Sequence, residues 1–431
     1  MQLGQPRFKP SQPGRLVAPV ALVAGMLLGA CSDSPTADST NPSTIASTTT
    51  IPARLDDGVL TIGLMVPNSG SGVDLGIAVE AGTDLAVRQI NVGGGVNGRT
   101  LRLIRQDEGD DVASARLASN ALINAGVDAI LGPASSLDAL ALVTDIAEAG
   151  IVSCSPTASS LALDEIPDEG LFFRTIGSDS LQALALAEAA DRTGATDIAV
   201  VYIDDDYGRP LATQTAAALR STGLRIVLTA ATQGLPDDID QLAANISKLK
   251  PSAVVVIADA ETGPAIVVTL DRRLDGLPNF VVNEAMRRPS AAAAPYSAAL
   301  AARITGVSPL ATPPDDFLNQ LRTVSIDTVG NYASNAYDCV NLIALASEMA
   351  DSDNPSEFAP LIDDLSIGGT ACASFAECYT ALQANRNFQY NGPTGVLDLG
   401  QRGDPFNAVF DLFGFDENGR DVSLAKVIVT Q

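Results

Sequence analysis

ILGPASSLDALA, residues 130–141, runs from a short apolar strand into Gly-Pro, through two serines and directly into a helical pattern. A strand that ends on a turn and feeds a helix is the repeating unit of a parallel α/β layer. The same alternation recurs on both sides of it. VLTIGLMVP (59–67) reads as a strand and LGIAVEAGTDLAVRQIN (75–91) as a helix, and TLRLIRQDE, DVASARLASNALINAG and IVSCSP continue the series. The strands are short and continuously apolar, as expected where helices cover both faces of a sheet. In DVASARLASNALINAG, Ala115, Ala118, Leu122 and Ala125 fall on one stripe able to pack on that sheet.

A second α/β series follows FFRTIGSDS (172–180), through DIAVVYIDDDYG, RIVLTAAT, AVVVIAD and NFVVNEAM, each separated by a helical stretch. After it come a more helical tail containing NYASNAYDCVNLIALASEMA (331–350) and two strand-rich pieces, GPTGVLDLG and FNAVFDLFGFDENG. Two consecutive series predict two similar parallel-sheet lobes rather than one large sheet. The globular length, about twice that of a typical domain, agrees.

The N-terminus has Arg7, Lys9 and Arg15, no acidic residue, and an apolar run from Leu16 to Leu28 that is short for a membrane span. It reads as a secretory signal. Cys31 directly after Leu28-Gly29-Ala30 resembles the lipobox of bacterial lipoproteins, in which the cysteine is lipidated and becomes the mature N-terminus. The alternative is an ordinary signal peptide with a chance cysteine nearby. SDSPTADSTNPSTIASTTT (32–50) has almost nothing to bury and reads as a solvated tether. The expected organisation is a signal over 1–30, a lipid-anchored tether over 31–55, lobe 1 from 56–178 plus 306–392, and lobe 2 from 179–305 plus 393–431.

The chain carries a formal net charge of −25 and contains neither His nor Trp. An acidic surface disfavours nucleic acid and anionic lipid headgroups. The lack of His removes His-based triads and HExxH metal sites, and no cofactor is expected. Of the cysteines other than Cys31, Cys372 and Cys378 are close enough to close a small loop and are the preferred disulfide in an exported chain. Cys154 and Cys339 each read equally as a buried free thiol or as the other's partner. The four lack CxxC spacing, so no metal site is read from them.

Open parallel sheets bind ligands beyond the carboxyl ends of their strands. Here those ends are NSGSG (68–72), GPASS (132–136), SPTASS (155–160), DDDYG (204–208), DAETG (259–263) and NEAM (283–286). Most present hydroxyls or carboxylates where a helix begins. The run Asp204, Asp205, Asp206 lacks the ligand spacing of a calcium loop and reads as a solvated turn.

The order of GLMVPNSG, INVGGGVNGRTLRLIRQDEGDD, ILGPASS, SPTAS, FFRTIGSDS, DDDYG, NYASNAYD and NGPTGVLDL resembles the substrate-binding proteins of branched-chain amino acid ABC transporters, over about residues 58–416. The resemblance implies a type I periplasmic binding protein fold, two α/β lobes joined by three crossovers, a monomer that closes on its ligand and passes it to a membrane permease. It implies that Ser136, with Ser135 beside it, takes a ligand carboxylate. Thr157 and Ser159 lie on the segment that offers a carbonyl to the ligand amine and a hydroxyl to its carboxylate. Tyr207 covers the ligand and Glu284 pairs with its ammonium. Where relatives often place aromatic residues, this chain has Leu75 and Ala260, which alters the volume of the cleft.

Each of these residues also has a plainer reading. Ser136 is a good helix N-cap, Thr157 and Ser159 can satisfy a turn, Tyr207 can pack before Gly208, and Glu284 can pair on the surface with Arg287 or Arg288. Their convergence on one set of strand ends favours a binding cleft. A ligand-sensing lipoprotein of the same fold is an alternative to transport. An exported hydrolase built on Ser136 fits less well, because GPASS is not a nucleophile elbow and histidine is absent.

Overall fold

The computed structural model describes residues 57–431 apart from 206, 260–261, 275–276, 288–295, 310–312, 326–331 and 401. The expected signal, the tether, Cys31, Asp206, Ala260 and Arg288 lie outside the described residues. All the described residues fall in one unit spanning Thr50–Gln431.

The first sheet has the order β2-β1-β3-β4-β5, all parallel, from β1 (Thr61–Val66), β2 (Arg102–Asp107), β3 (Ala129–Leu131), β4 (Val152–Ser155) and β5 (Phe172–Arg174). Helices α1 (Val73–Val92), α2 (Val112–Asn124) and α3 (Ser136–Glu148) connect its first four strands. Alternate side chains explain why the strands are apolar throughout. Ile62, Leu64, Val66 and Leu131 face a core shared with Val79, Leu85 and Ile90 of α1, while Met65 and Ile130 face Leu122 and Ile146 on the other side. Of the expected α2 stripe, Ala115, Ala118 and Leu122 are buried. Ala125 is not, because α2 ends at Asn124 and Ala125 is its exposed C-cap.

The chain then crosses over and builds a larger sheet. Its elements are α4 (Asp179–Arg192), β6 (Asp197–Ile203), α5 (Gly208–Ser221), β7 (Arg225–Thr232), α6 (Pro236–Leu249), β8 (Ala253–Ile257), α7 (Gly263–Arg273), β9 (Asn279–Val282), α8 (Ala298–Ala301) and β10 (Ile304–Ser308). A second crossover leads to α9 (Asp315–Leu321), α10 (Ala333–Ala350), α11 (Pro355–Phe358) and α12 (Phe375–Gln383), of which α10 packs on α1. The short strands β11 (Thr370–Cys372) and β12 (Phe388–Tyr390) pair beside α12. A third crossover returns to β13 (Asn407–Phe415) and β14 (Asp421–Thr430), which complete the order β14-β13-β10-β9-β8-β6-β7.

Three details depart from the sequence reading. β10 pairs with β9 and β13, so the larger sheet reaches Ser308, past the expected 305/306 boundary. The lobes differ in their last strands, because β13 and β14 join antiparallel. GPTGVLDLG forms no strand beyond an isolated bridge between Leu399 and Pro405; its apolar residues Leu397 and Leu399 pack instead into the core under the first sheet.

Both cysteine pairs stand in bonding geometry. The Cα atoms of Cys372 and Cys378 are 5.3 Å apart, and those of Cys154 on β4 and Cys339 on α10 are 5.9 Å apart. The second pair ties the strand that leads into SPTAS to the helix that begins after Tyr332.

Candidate ligand-binding site

In the first sheet the connections leave β1 in opposite directions, so the sheet opens a crevice past the carboxyl ends of β1 and β3. The larger sheet reverses in the same way between β6 and β8. The residues expected to bind ligand stand on these two edges.

Gly132 sets the first edge. At φ 124° it occupies a conformation open to glycine, and a Cβ there would meet Met65 O of β1 at 2.3 Å. The chain can therefore turn tightly against β1 and present Ser135 and Ser136 at the start of α3. The N-cap is Ser135, whose Oγ accepts from Asp138 N at 3.3 Å, and not Ser136 as its plainer reading supposed. Ser136 is the first helical residue, and its Oγ accepts from Ser160 N at 3.3 Å, which joins the two serine-bearing loops. The amides of Ala134 and Ser135 are not open to a ligand, because both donate to the buried carboxylate of Glu108, at 2.9 and 3.0 Å. Burial raises the Glu108 carboxyl despite those donors, and Asp138 beside it is raised as well.

Thr157 Oγ1 donates to Ala134 O at 2.6 Å, so its hydroxyl hydrogen is committed to holding the SPTAS loop on the GPASS turn. Arg174, fully buried, fixes the same loop from beneath. Its Nη1 donates to Ala158 O and Ser160 O, while Nη2 and Nε donate to Asp164 at 2.7 Å and Asp404 at 2.6 Å. Ser159 lies between these anchors, and its carbonyl accepts from Asp179 N at 2.9 Å.

On the second edge Tyr207 begins α5, and its hydroxyl donates to Glu284 Oε1 at 2.8 Å. Glu284 Oε2 accepts from Gln182 Nε2 of α4. Asn283, buried, reaches back from β9 to Ala258 N at 3.1 Å and to the Tyr207 hydroxyl at 3.4 Å, fixing the spacing of the β6, β8 and β9 ends. Burial raises the Glu284 carboxyl, with the Tyr207 and Gln182 bonds acting the other way. The surface ion pair considered for Glu284 does not form with Arg287, which pairs with Asp411 and Asp421 at 2.9 and 2.8 Å.

Asp179 joins the two edges and was not anticipated from the sequence. Burial first, and the Glu284 charge second, push its carboxyl up to about 8; the Ser159 hydroxyl and Arg174 act the other way. Its Oδ1 is buried and has no hydrogen-bond partner among the described residues. The same two charges act on Tyr332, whose phenol is raised first by burial and then by Glu284 and Asp179. At φ 62° this tyrosine is held in the left-handed region just before α10, a strain of the kind found at binding sites. The available sequence signal was SDSLQ (178–182): Asp179 and Gln182, three apart, precede the Ala/Leu run 183–187 of the same helix. Leu75 packs against the core under the first sheet.

The site thus contacts itself as a chain: Ser136 to Ser160, Ser159 to Asp179, Asp179 to Glu284 by charge, and Glu284 to Tyr207. Asp204 instead pairs with Arg209, and Asp205 Oδ1 accepts from the amides of Tyr207 and Gly208. Among the described residues no group of three or more Cys, Asp or Glu is arranged to hold a metal ion. A separate groove of about 860 Å³ opens among Leu85, Phe317, Tyr337 and Phe375, and none of the six expected ligand residues lines it.

The sequence profile described as "Periplasmic binding protein" matches residues 59–409. The chain belongs to the periplasmic binding protein family. Among its relatives, the Leucine-, isoleucine-, valine-, threonine-, and alanine-binding protein of Pseudomonas aeruginosa is 27% identical over 364 residues, 82% of this chain and 88% of that protein. The Chemotactic signal transduction system substrate-binding protein BasB of Halobacterium salinarum is 29% identical over 356 residues, 79% of this chain and 83% of that one. An ABC transporter substrate-binding protein from Desulfitobacterium hafniense superposes with a TM-score of 0.70 at 24% identity, over 85% of this chain and 100% of that chain. The branched-chain amino acid transporter substrate-binding protein LivJ from Streptococcus pneumoniae, solved with isoleucine, gives 0.64 at 20% identity, over 86% of this chain and 100% of that chain. The fold is therefore that of a type I periplasmic binding protein, and this periplasmic binding protein is an extracytoplasmic solute receptor and not an enzyme. The hydrolase reading of Ser136 falls with it.

Proposed function

We propose that this chain is a lipid-anchored, monomeric receptor that captures a small amino acid or related polar metabolite and delivers it to an ABC permease. The observation that carries the reading is the carboxylate of Glu284, held by Tyr207 and by Gln182, the latter one helical turn of α4 from Asp179, whose buried Oδ1 has no partner among the described residues. Buried carboxylates of this kind call for a positive partner, and a ligand ammonium supplies one. The opposite side offers the Ser136 hydroxyl at the start of α3, suited to a carboxylate, with Ser159 on the neighbouring loop. Because Glu108 occupies the Ala134 and Ser135 amides and Ser135 takes those of Asp138 and Ala139, that carboxylate would draw on Ser136 itself. Thr157 and Ser135 act from behind, shaping the loops. The names of the amino-acid-binding relatives favour the same class.

Calorimetry and thermal shift with a panel of amino acids test the reading, with small-angle scattering to follow closure. Binding by one of them with compaction supports it; no binder and no compaction would end it. The name of the Halobacterium relative favours a second reading, a sensor that reports its ligand to a membrane partner. Permease and ATPase genes beside this one would favour transport. The anchor is tested by mass spectrometry of the mature N-terminus, where a diacylated Cys31 is expected.

A further inference from the structure

Asp179 and Gln182 stand three residues apart on the first turn of α4, so both side chains leave one face of that helix. Gln182 donates to Glu284 Oε2 and Tyr207 donates to Oε1, so each oxygen of that carboxylate has a donor. Asp179 has the Ser159 hydroxyl beside it, and its Oδ1 stays unpartnered among the described residues. The charged and titratable groups around it are few. Glu284 comes from the end of β9, Asp164 from the segment between β4 and β5, Tyr207 from α5 and Tyr332 from the start of α10. Among the described residues Arg174 of β5 is the cation acting on it, and that guanidinium is already bonded to Asp164 and Asp404. Both tyrosines are raised by burial and stay neutral at physiological pH, so they bring no positive charge.

Two carboxylates in a partly desolvated site, with Arg174 shared among other acids, do not both keep full charge. We propose that the empty cleft holds a proton on the Asp179–Glu284 pair and that an incoming ammonium group displaces it. This rests on the reading of the site as amine-binding and adds to it a proton balance. The carboxyl O–H bond breaks, its proton passes to solvent, and the ligand ammonium donates its own N–H groups to the oxygens left behind. One positive charge enters as one leaves. Proton and ligand therefore compete, and capture weakens as pH falls. Linkage fixes the limit at tenfold in Kd per pH unit for one proton released. The window lies below about 8, where Asp179 takes up its proton in the empty site.

The test titrates the full chain with L-leucine, L-threonine and L-alanine, and with 4-methylpentanoate as a probe that lacks the amine. Calorimetry at neutral pH in phosphate and in Tris, whose ionisation heats differ, is expected to give different observed enthalpies for the binding amino acid. Its Kd is expected to rise toward tenfold per unit as the pH is lowered. In Asp179→Asn the amino acid is expected to bind more weakly, with the buffer dependence lost and a Kd that changes little with pH. Equal heats in the two buffers and an unchanged Kd would overturn the proton balance and leave the amine reading standing. Binding of 4-methylpentanoate as tightly as leucine would overturn the amine reading and this proposal with it. Carboxyl NMR of the ligand-free protein gives a readout independent of any ligand. A titration step near 8 that vanishes in Asp179→Asn supports the proposal, and a carboxyl titration above the ordinary acid range that Asp179→Asn leaves unchanged would overturn it.

Discussion

Tyr207 and Glu284, 77 residues apart in sequence, share a 2.8 Å hydrogen bond in which the phenol holds one carboxylate oxygen and leaves the other to Gln182. The carboxylate is fixed by neutral donors, so its charge is oriented without being neutralised. Glu284→Ala is expected to weaken an amine ligand by more than about tenfold, as truncation of a desolvated charge partner does. Tyr207→Phe should cost less, because Gln182 still holds the group. Calorimetry checks both, with circular dichroism to establish that each variant is folded. An unchanged affinity in Glu284→Ala would move the amine elsewhere.

Adjacent serines at the start of α3 separate stability from binding. Ser135 caps the helix through Asp138 N, whereas the Ser136 hydroxyl is linked to the Ser160 amide across the cleft edge. Ser135→Ala should therefore lower stability by about 1 kcal/mol with a small effect on ligand affinity. Ser136→Ala should do the reverse. Denaturant titration beside calorimetry distinguishes them, and equal behaviour of the two variants would contradict the assignment.

The alternating strand and helix pattern was legible because buried parallel strands are apolar at every position. Even so, two features of the site could not be read that way. Asp179 and Gln182 sit in an ordinary helix start, and only the fold brings that start against Glu284 from more than a hundred residues away. Glu108 closes the Ala134 and Ser135 amides from the end of β2, so a helix N-terminus that looks open in sequence is occupied in three dimensions. Local pattern reports which residues are buried. It does not report which buried polar groups meet.

Acid groups buried in this fold give it a distinct pH response. Asp338, fully buried on α10, accepts from Tyr390 Oη at 2.6 Å and from Thr394, yet burial outweighs these donors and pushes its carboxyl up to about 8. A carboxyl raised in the folded state binds its proton more tightly there than in the unfolded chain. Its contribution to stability is therefore complete below the unfolded value and is lost as pH rises toward 8. Thermal unfolding of the ligand-free protein should thus occur at a higher temperature at mildly acidic pH than at pH above 8. Asp338→Asn should flatten that slope. A Tm that rises steadily with pH over this range would contradict the ordering.

The two cysteine pairs differ most in the length of chain they close. Cys372 and Cys378 are separated by 6 residues, Cys154 and Cys339 by 185. In the chain-entropy account the stabilisation grows with the logarithm of that length, giving about 2 kcal/mol for the short loop and about 5 kcal/mol for the long one. Cys154→Ser with Cys339→Ser should therefore lower the denaturation midpoint more than Cys372→Ser with Cys378→Ser. The long link has a second effect, since Cys154 precedes the SPTAS loop by a single residue and Cys339 lies on the helix that begins after Tyr332. Losing it frees the first-sheet edge from the helix behind it, so ligand affinity should fall along with stability. Removing the short loop should leave affinity close to that of the parent protein. Equal losses of affinity in the two double variants would mean that the long link stabilises the lobe without positioning the cleft.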